Sequence, residues 1–135
     1  MSVTLATGVQ PALEELWRGA WKEVGSKRGG EALLETIGDG LASEDVLRAA
    51  VAASALWIFD DGALKGLALC RAQLIEGVYV VHHARRQGVG TKLVRALLDG
   101  PTPPLDAFAL PGDRATKSLF ESIGWKARLL TMRGE

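Results

Sequence analysis

A chain of 135 residues with 16 basic and 16 acidic side chains has no net charge, so no overall field draws it to nucleic acid or an anionic membrane. Hydrophobic residues at 47% and charged residues at 24% fit one globular domain, residues 1–135. No apolar stretch approaches the roughly 20 residues of a bilayer span, residues 1–10 lack a signal-peptide pattern, and a lone Cys70 with two histidines makes neither an internal disulfide nor a zinc cage, so a cytoplasmic chain without a metal is expected.

Residues 3–6 read as a short first strand. Pro11 suits a first helical position, where its missing N–H would have no partner anyway. Leu13, Leu16, Trp17, Ala20, Trp21 and Val24 then recur on one helical face. Gly29 and Gly30 break that helix, and residues 31–37 form a second, shorter one. Ser43 is placed to cap a third helix, with Glu44 and Asp45 in its first turn and Val46, Leu47, Ala50 and Val51 as its apolar stripe.

The pattern changes at Ala55. Residues 56–59 read as a strand, Asp60, Asp61 and Gly62 as a tight turn, and residues 64–71 as the returning strand. Ala72 and Gln73 connect it to a further strand over residues 74–81, rich in β-branched residues. After a glycine loop, Val89, Leu93, Val94, Leu97 and Leu98 share a helical face. Gly100 and Pro101 stop that helix. Residues 105–110 read as a strand, Asp113 caps a helix running to about Ser122, and residues 125–132 read as a last strand. The expected class is a mixed α/β domain whose later elements form a β-α-β unit.

The loop Gln87-Gly88-Val89-Gly90-Thr91 carries the clearest chemistry. It follows a strand and opens a helix, whose first N–H groups lack internal partners and carry partial positive charge. Glycines let the backbone come close to a ligand. Such a site suits a phosphate or pyrophosphate, although a plain helix start has the same pattern. A dinucleotide fingerprint needs a third glycine, and position 93 is Leu; a P-loop needs Gly-Lys-Ser/Thr, which is absent.

The pattern Arg85, Gly88, Gly90 resembles the acyl-CoA loop R/Q-x-x-G-x-G/A of the GNAT N-acetyltransferase superfamily. A second segment, Asp113-Arg114-Ala115-Thr116-Lys117-Ser118-Leu119-Phe120-Glu121-Ser122-Ile123-Gly124-Trp125, resembles the family's N-x-x-A-x-x-L-Y-x-x-x-G-F. The resemblance spans roughly residues 55–133. It implies a central, mostly antiparallel sheet with a splayed parallel strand pair, flanked by helices. It also implies an N-acyltransferase that moves an acetyl or other acyl group from acyl-CoA to a small-molecule amine or a protein amino group.

By the same resemblance the pyrophosphate sits on the amides of Gln87, Gly88, Val89, Gly90 and Thr91, and the pantetheine arm lies along Tyr79, Val80 and Val81. Arg85, Arg86 and Lys92 are candidates for the phosphates, with solvated surface charge as the alternative. Asp113 and Phe120 fall on the family's cofactor-side motif. Glu76 is the candidate general base, the alternative being a strand glutamate paired with an arginine. Family members are often dimers, so a homodimer is an expectation. One departure matters: the family's usual proton donor is a tyrosine, and here that position is Phe120. A catalytically weak or inactive acyl-CoA-binding or regulatory domain is therefore the competing expectation.

Overall fold

The computed structural model describes residues 2–134. In chain order its elements are β1 (Val3–Leu5), α1 (Pro11–Ser26), α2 (Gly30–Gly38), α3 (Ser43–Ala52), β2 (Leu56–Asp60), β3 (Leu64–Arg71), β4 (Leu74–Val80), α4 (Val89–Leu98), β5 (Asp106–Ala107) and α5 (Arg114–Ser122), with one short 3-10 turn at His82–Ala84. The strands form one sheet in the order β1-β2-β3-β4-β5. Pairings from β1 to β4 are antiparallel, and β4–β5 is parallel.

Alternation along the strands builds two cores, one on each face. Leu56, Leu67 and Leu69 meet Leu13, Leu16, Trp17, Ile37, Val46 and Leu47 from α1–α3. Phe59, Ala68 and Ile75 meet Val89, Leu93, Val94 and Leu97 of α4, together with Phe120 of α5.

Three expectations are corrected. Ser43 is the first residue of α3 and Ala42 its N-cap, with no side-chain cap. The Ser43 hydroxyl instead accepts from Trp17 Nε1 at 2.9 Å. Trp17 is 4% exposed, and its indole N–H needs a partner at that depth. The strand expected over residues 105–110 is only Asp106–Ala107, preceded by Pro101, Pro103 and Pro104 and then diverging from β4. Residues 125–132 form no strand. Leu129, Leu130 and Met132 are 87%, 68% and 86% exposed, and no ladder among the described residues holds them.

One irregularity positions the site. Leu69 pairs with Gly77 and Cys70 with Ile75, so Glu76 is an additional residue on β4, a β-bulge. Past the bulge, Val81 N donates to Lys65 O at 2.9 Å, and Gly66 and Ala68 lie opposite Val80 and Val78. Hydrogen-bonded and non-bonded pairs alternate in an antiparallel ladder. The backbone amides and carbonyls of Val78 and Val80 therefore face away from β3, towards β5.

Candidate acyl-CoA site

The β4–β5 ladder is short. Leu74 pairs with Asp106 and Ile75 with Ala107, and Phe108 N donates to Ile75 O at 2.9 Å. Beyond that point no pairing holds the two segments, leaving on the β4 edge the backbone groups of Val78 and the amide of Val80, while the Val80 carbonyl accepts from Arg85 Nε. An extended ligand carrying amides can add to such an edge as a strand would. Val81 was expected to line it, but its amide is committed to Lys65 on the other side. The Val78 backbone faces the open side instead. The cause is the bulge at Glu76, which shifts the alternation by one residue and leaves no local mark in the sequence.

The open edge runs into the glycine loop. Arg86 (φ 66°) and Gly88 (φ 79°) are both left-handed. Gly88 is the N-cap of α4 and has no side chain with which to cap it. The amides of Val89, Gly90 and Thr91, at the head of the helix, are thus left for a ligand. Gly90 serves packing: a Cβ there would lie 3.3 Å from Leu119 and 3.8 Å from Val80. Its absence lets the start of α4 settle against β4 and α5.

The basic residues of the loop diverge. Arg85 Nε donates to Val80 O at 3.0 Å, and its Nη2 donates to Glu23 Oε1 at 2.7 Å. The guanidinium also lies 5.8 Å from the Tyr79 ring centre. Lys92 sits 5.7 Å from the ring centre of Phe59. Arg86 is exposed at the loop tip, as is Gln87, whose side-chain amide donates to His83 O at 3.4 Å. Arg86 and Lys92 are the exposed basic side chains of the loop and the first turn of α4. Tyr79 lies on the α1 face of the sheet, where a Cβ on Gly19 would come 3.1 Å from its hydroxyl.

Glu76 is 6% exposed, and both its oxygens accept from Arg71, one from Nε and the other from Nη2 at 2.9 Å. Arg71 Nη2 also donates to Ile37 O at 2.7 Å, satisfying a carbonyl near the end of α2 that has no partner within the helix. The alternative of an arginine partner is thus realised. Its hydrogen bonds to Glu76 push the Arg71 guanidinium further above its ordinary value. Burial, with Glu76 nearby, raises the Cys70 thiol and keeps it protonated.

No family model matches the sequence, and no curated protein matches it. Solved structures do. An aminoglycoside 6'-N-acetyltransferase, AAC(6')-IG from Acinetobacter haemolyticus, superposes with a TM-score of 0.55 at 15% identity over 100% of this chain and 99% of that one. AAC(6')-Iy, solved with the bisubstrate analogue CoA-S-monomethyl-acetylneamine, gives 0.53 at 19% identity over 77% and 88%. A transcriptional regulator from Bacillus halodurans C-125 gives 0.56 at 19% identity over 98% and 99%. The likeness is one of fold, a mixed sheet with a parallel β4–β5 pair flanked by helices. The chain has the GNAT fold.

On the GNAT fold the second motif of this chain has two separate jobs. Asp113 Oδ1 accepts from Thr116 N at 3.1 Å and Oδ2 from Thr116 Oγ1 at 2.7 Å, capping α5, while Lys27 Nζ stands 3.1 Å from Oδ2. Burial alone would raise this carboxyl, but the bonds from Thr116 and Lys27 outweigh it and hold it below the usual carboxylate range. Phe120 is 7% exposed and stacks on Trp125, with ring centres 5.5 Å apart. It is a packing residue with no proton to give. His82 and His83 are exposed in the 3-10 turn. Among the described residues no group of three or more His, Cys, Asp or Glu could hold a metal, and no helix is long and apolar enough to cross a membrane. A cavity of about 570 Å³ lined by Leu5, Trp57, Cys70, Gln73, Leu97 and Pro101 shares no residue with the glycine loop.

Proposed function

We propose that this single domain binds acetyl-CoA or another acyl-CoA at the open β4 edge and the head of α4, and transfers the acyl group to a small-molecule amine. The observation that carries the reading is the continuity of two complementary surfaces. Val78 and Val80 offer strand-like backbone groups to the amides of a pantetheine arm. The uncapped amides of Val89, Gly90 and Thr91 at the end of that edge suit a pyrophosphate. A dinucleotide or a free phosphate would use only the second surface. The acetyltransferases of the same fold, one of them solved with a CoA bisubstrate analogue, support an amine acceptor.

In the reaction a neutral amine nitrogen attacks the thioester carbonyl carbon. The C–N bond forms, the nitrogen gives up one proton to water, the C–S bond breaks, and the electron pair leaves on the CoA thiolate, which takes up a proton. Glu76 is the carboxylate of β4 nearest this chemistry. Arg71 occupies one position on each oxygen, so Glu76 takes the ammonium proton through a water at a remaining lone pair. Water protonates the leaving thiolate, because Phe120 cannot.

The second reading, an acyl-CoA-binding or regulatory domain without turnover, is favoured by Phe120 in its buried stack with Trp125. A transcriptional regulator also has this fold, so the fold alone does not separate the two readings. Thiol release from acetyl-CoA against a panel of primary amines does. The transferase reading expects amine-dependent release with acylated amine as the product. Saturable CoA binding without turnover on a broad panel would establish the second reading instead.

A further inference from the structure

Gly19, Glu23 and Lys27 follow one another at intervals of four along α1 and its C-cap, so they share one stripe of the helix. Glu23 and Lys27 have opposite charge and stand four positions apart. Neither uses the other. Glu23 accepts from Arg85, which also donates to Val80 O on the β4 lip of the splay. Lys27 pairs with Asp113, the cap of α5, on the β5 lip. Gly19 makes room for Tyr79, and the Arg85 guanidinium lies over that ring. The turn after α1 also reaches the β5 lip, for a Cβ on Gly29 would come 3.5 Å from Leu110.

We infer that the end of α1 is a clamp across the opening between β4 and β5. Glu23 and Lys27 are positioning residues that hold the two lips at the separation the acyl-CoA arm needs. Arg85 then acts as the strap on the β4 lip and not as a phosphate ligand. This rests on the acyl-CoA reading of the site. Its physical basis is preorganisation: a slot held at its bound width loses less freedom when the ligand enters. The side chains of Glu23 and Arg85 are 30% and 35% exposed, and an ion pair that exposed adds little to the stability of the free chain. An effect on ligand affinity is therefore separable from an effect on folding.

The two roles for Arg85 predict opposite signs for Glu23→Gln. If Arg85 were a phosphate ligand, removing its carboxylate partner would free it and tighten CoA binding. If it is the strap, the same change loosens the slot. The test is calorimetric titration of the full chain with CoA and with S-acetylpantetheine, which lacks the pyrophosphate. Glu23→Gln, Lys27→Gln and Arg85→Gln are each expected to weaken both ligands by about five- to tenfold. Glu23→Asp, which keeps the charge with a shorter reach, is expected to lie between. In Glu23→Gln and Arg85→Gln the free melting temperature should move by no more than about 2 °C. Tighter or unchanged CoA binding in Glu23→Gln overturns the clamp while leaving the acyl-CoA reading intact. A loss in Arg85→Gln confined to CoA overturns it as well. A wild type that binds neither ligand removes the underlying reading, and the clamp with it.

Discussion

Replacing Gly88 with glutamate is expected to abolish acyl-CoA binding, weakening it by at least about a hundredfold and removing any thermal shift on adding acetyl-CoA. Two effects act together. The Gly88 backbone has φ 79°, and a Cβ there costs about 1–2 kcal/mol. The added carboxylate stands at the head of α4, where the dipole and the uncapped amides of Val89, Gly90 and Thr91 favour an anion. It competes for those amides and repels the pyrophosphate. Nothing lies within 4 Å of a Cβ at Gly88, so the side chain fits sterically and the chain still folds. Gly88→Asn is the control, because asparagine tolerates the left-handed conformation and adds no charge. It should retain most of the thermal shift. An unchanged shift in Gly88→Glu would remove the glycine loop from the binding site.

The second large effect is expected from Glu76→Gln. Removing the negative charge takes away the proton acceptor, and turnover should fall by about a hundredfold or more while the KM for acyl-CoA stays within about threefold. The isosteric amide keeps one acceptor oxygen for Arg71, but its NH2 group then faces an arginine N–H. Stability falls too, by about 1–3 kcal/mol; Arg71, whose side chain is 33% exposed, retains solvent and the Ile37 carbonyl. Arg71→Lys keeps a cation without the fork and separates the roles. It should lower stability and leave much of the turnover. Steady-state kinetics with melting curves on both variants checks this. Undiminished turnover in a destabilised Glu76→Gln chain would make Glu76 a structural partner of Arg71 and nothing more.

Local signals carried most of the fold. Helix faces such as Leu13, Leu16, Trp17 and Ala20, and the turn at Asp60, Asp61 and Gly62, depend on neighbours a few residues apart, so they are readable from sequence. Arg71 and Glu76 are nearly as close. The two-residue connection at Ala72 and Gln73, both with positive φ, folds Arg71 back opposite Leu74 and brings Glu76 within its reach. The sequence admitted an arginine partner for Glu76 but did not say which arginine. The bulge that aims Glu76 towards α2 has no local mark, since it exists only in the register between β3 and β4.

What the sequence concealed depends on distant pairs. Arg85, before the glycine loop, was a candidate for the phosphates with surface charge as the alternative, and its carboxylate partner Glu23, 62 positions away, was not legible. Ser43 looked like a cap until the indole N–H of Trp17, 26 positions away, claimed its hydroxyl. Strand propensity over residues 105–110 and 125–132 was real but had too little ladder to join. β5 pairs with β4 through only two residues before the splay. The same divergence that shortens β5 opens the β4 edge, so this misreading of the sequence falls at the candidate site itself.

The central claim is that one acyl-CoA molecule spans the open β4 edge and the head of α4. A crystal structure of the chain with CoA tests it directly. The account predicts pyrophosphate oxygens within hydrogen-bond distance of the amides in the Gln87 to Thr91 loop, and pantetheine amides paired with the backbone of Val78 and Val80. The sulfur should lie towards Glu76, with Arg85 still on Glu23. CoA bound elsewhere, or held only by its phosphates with the β4 edge bare, would contradict it.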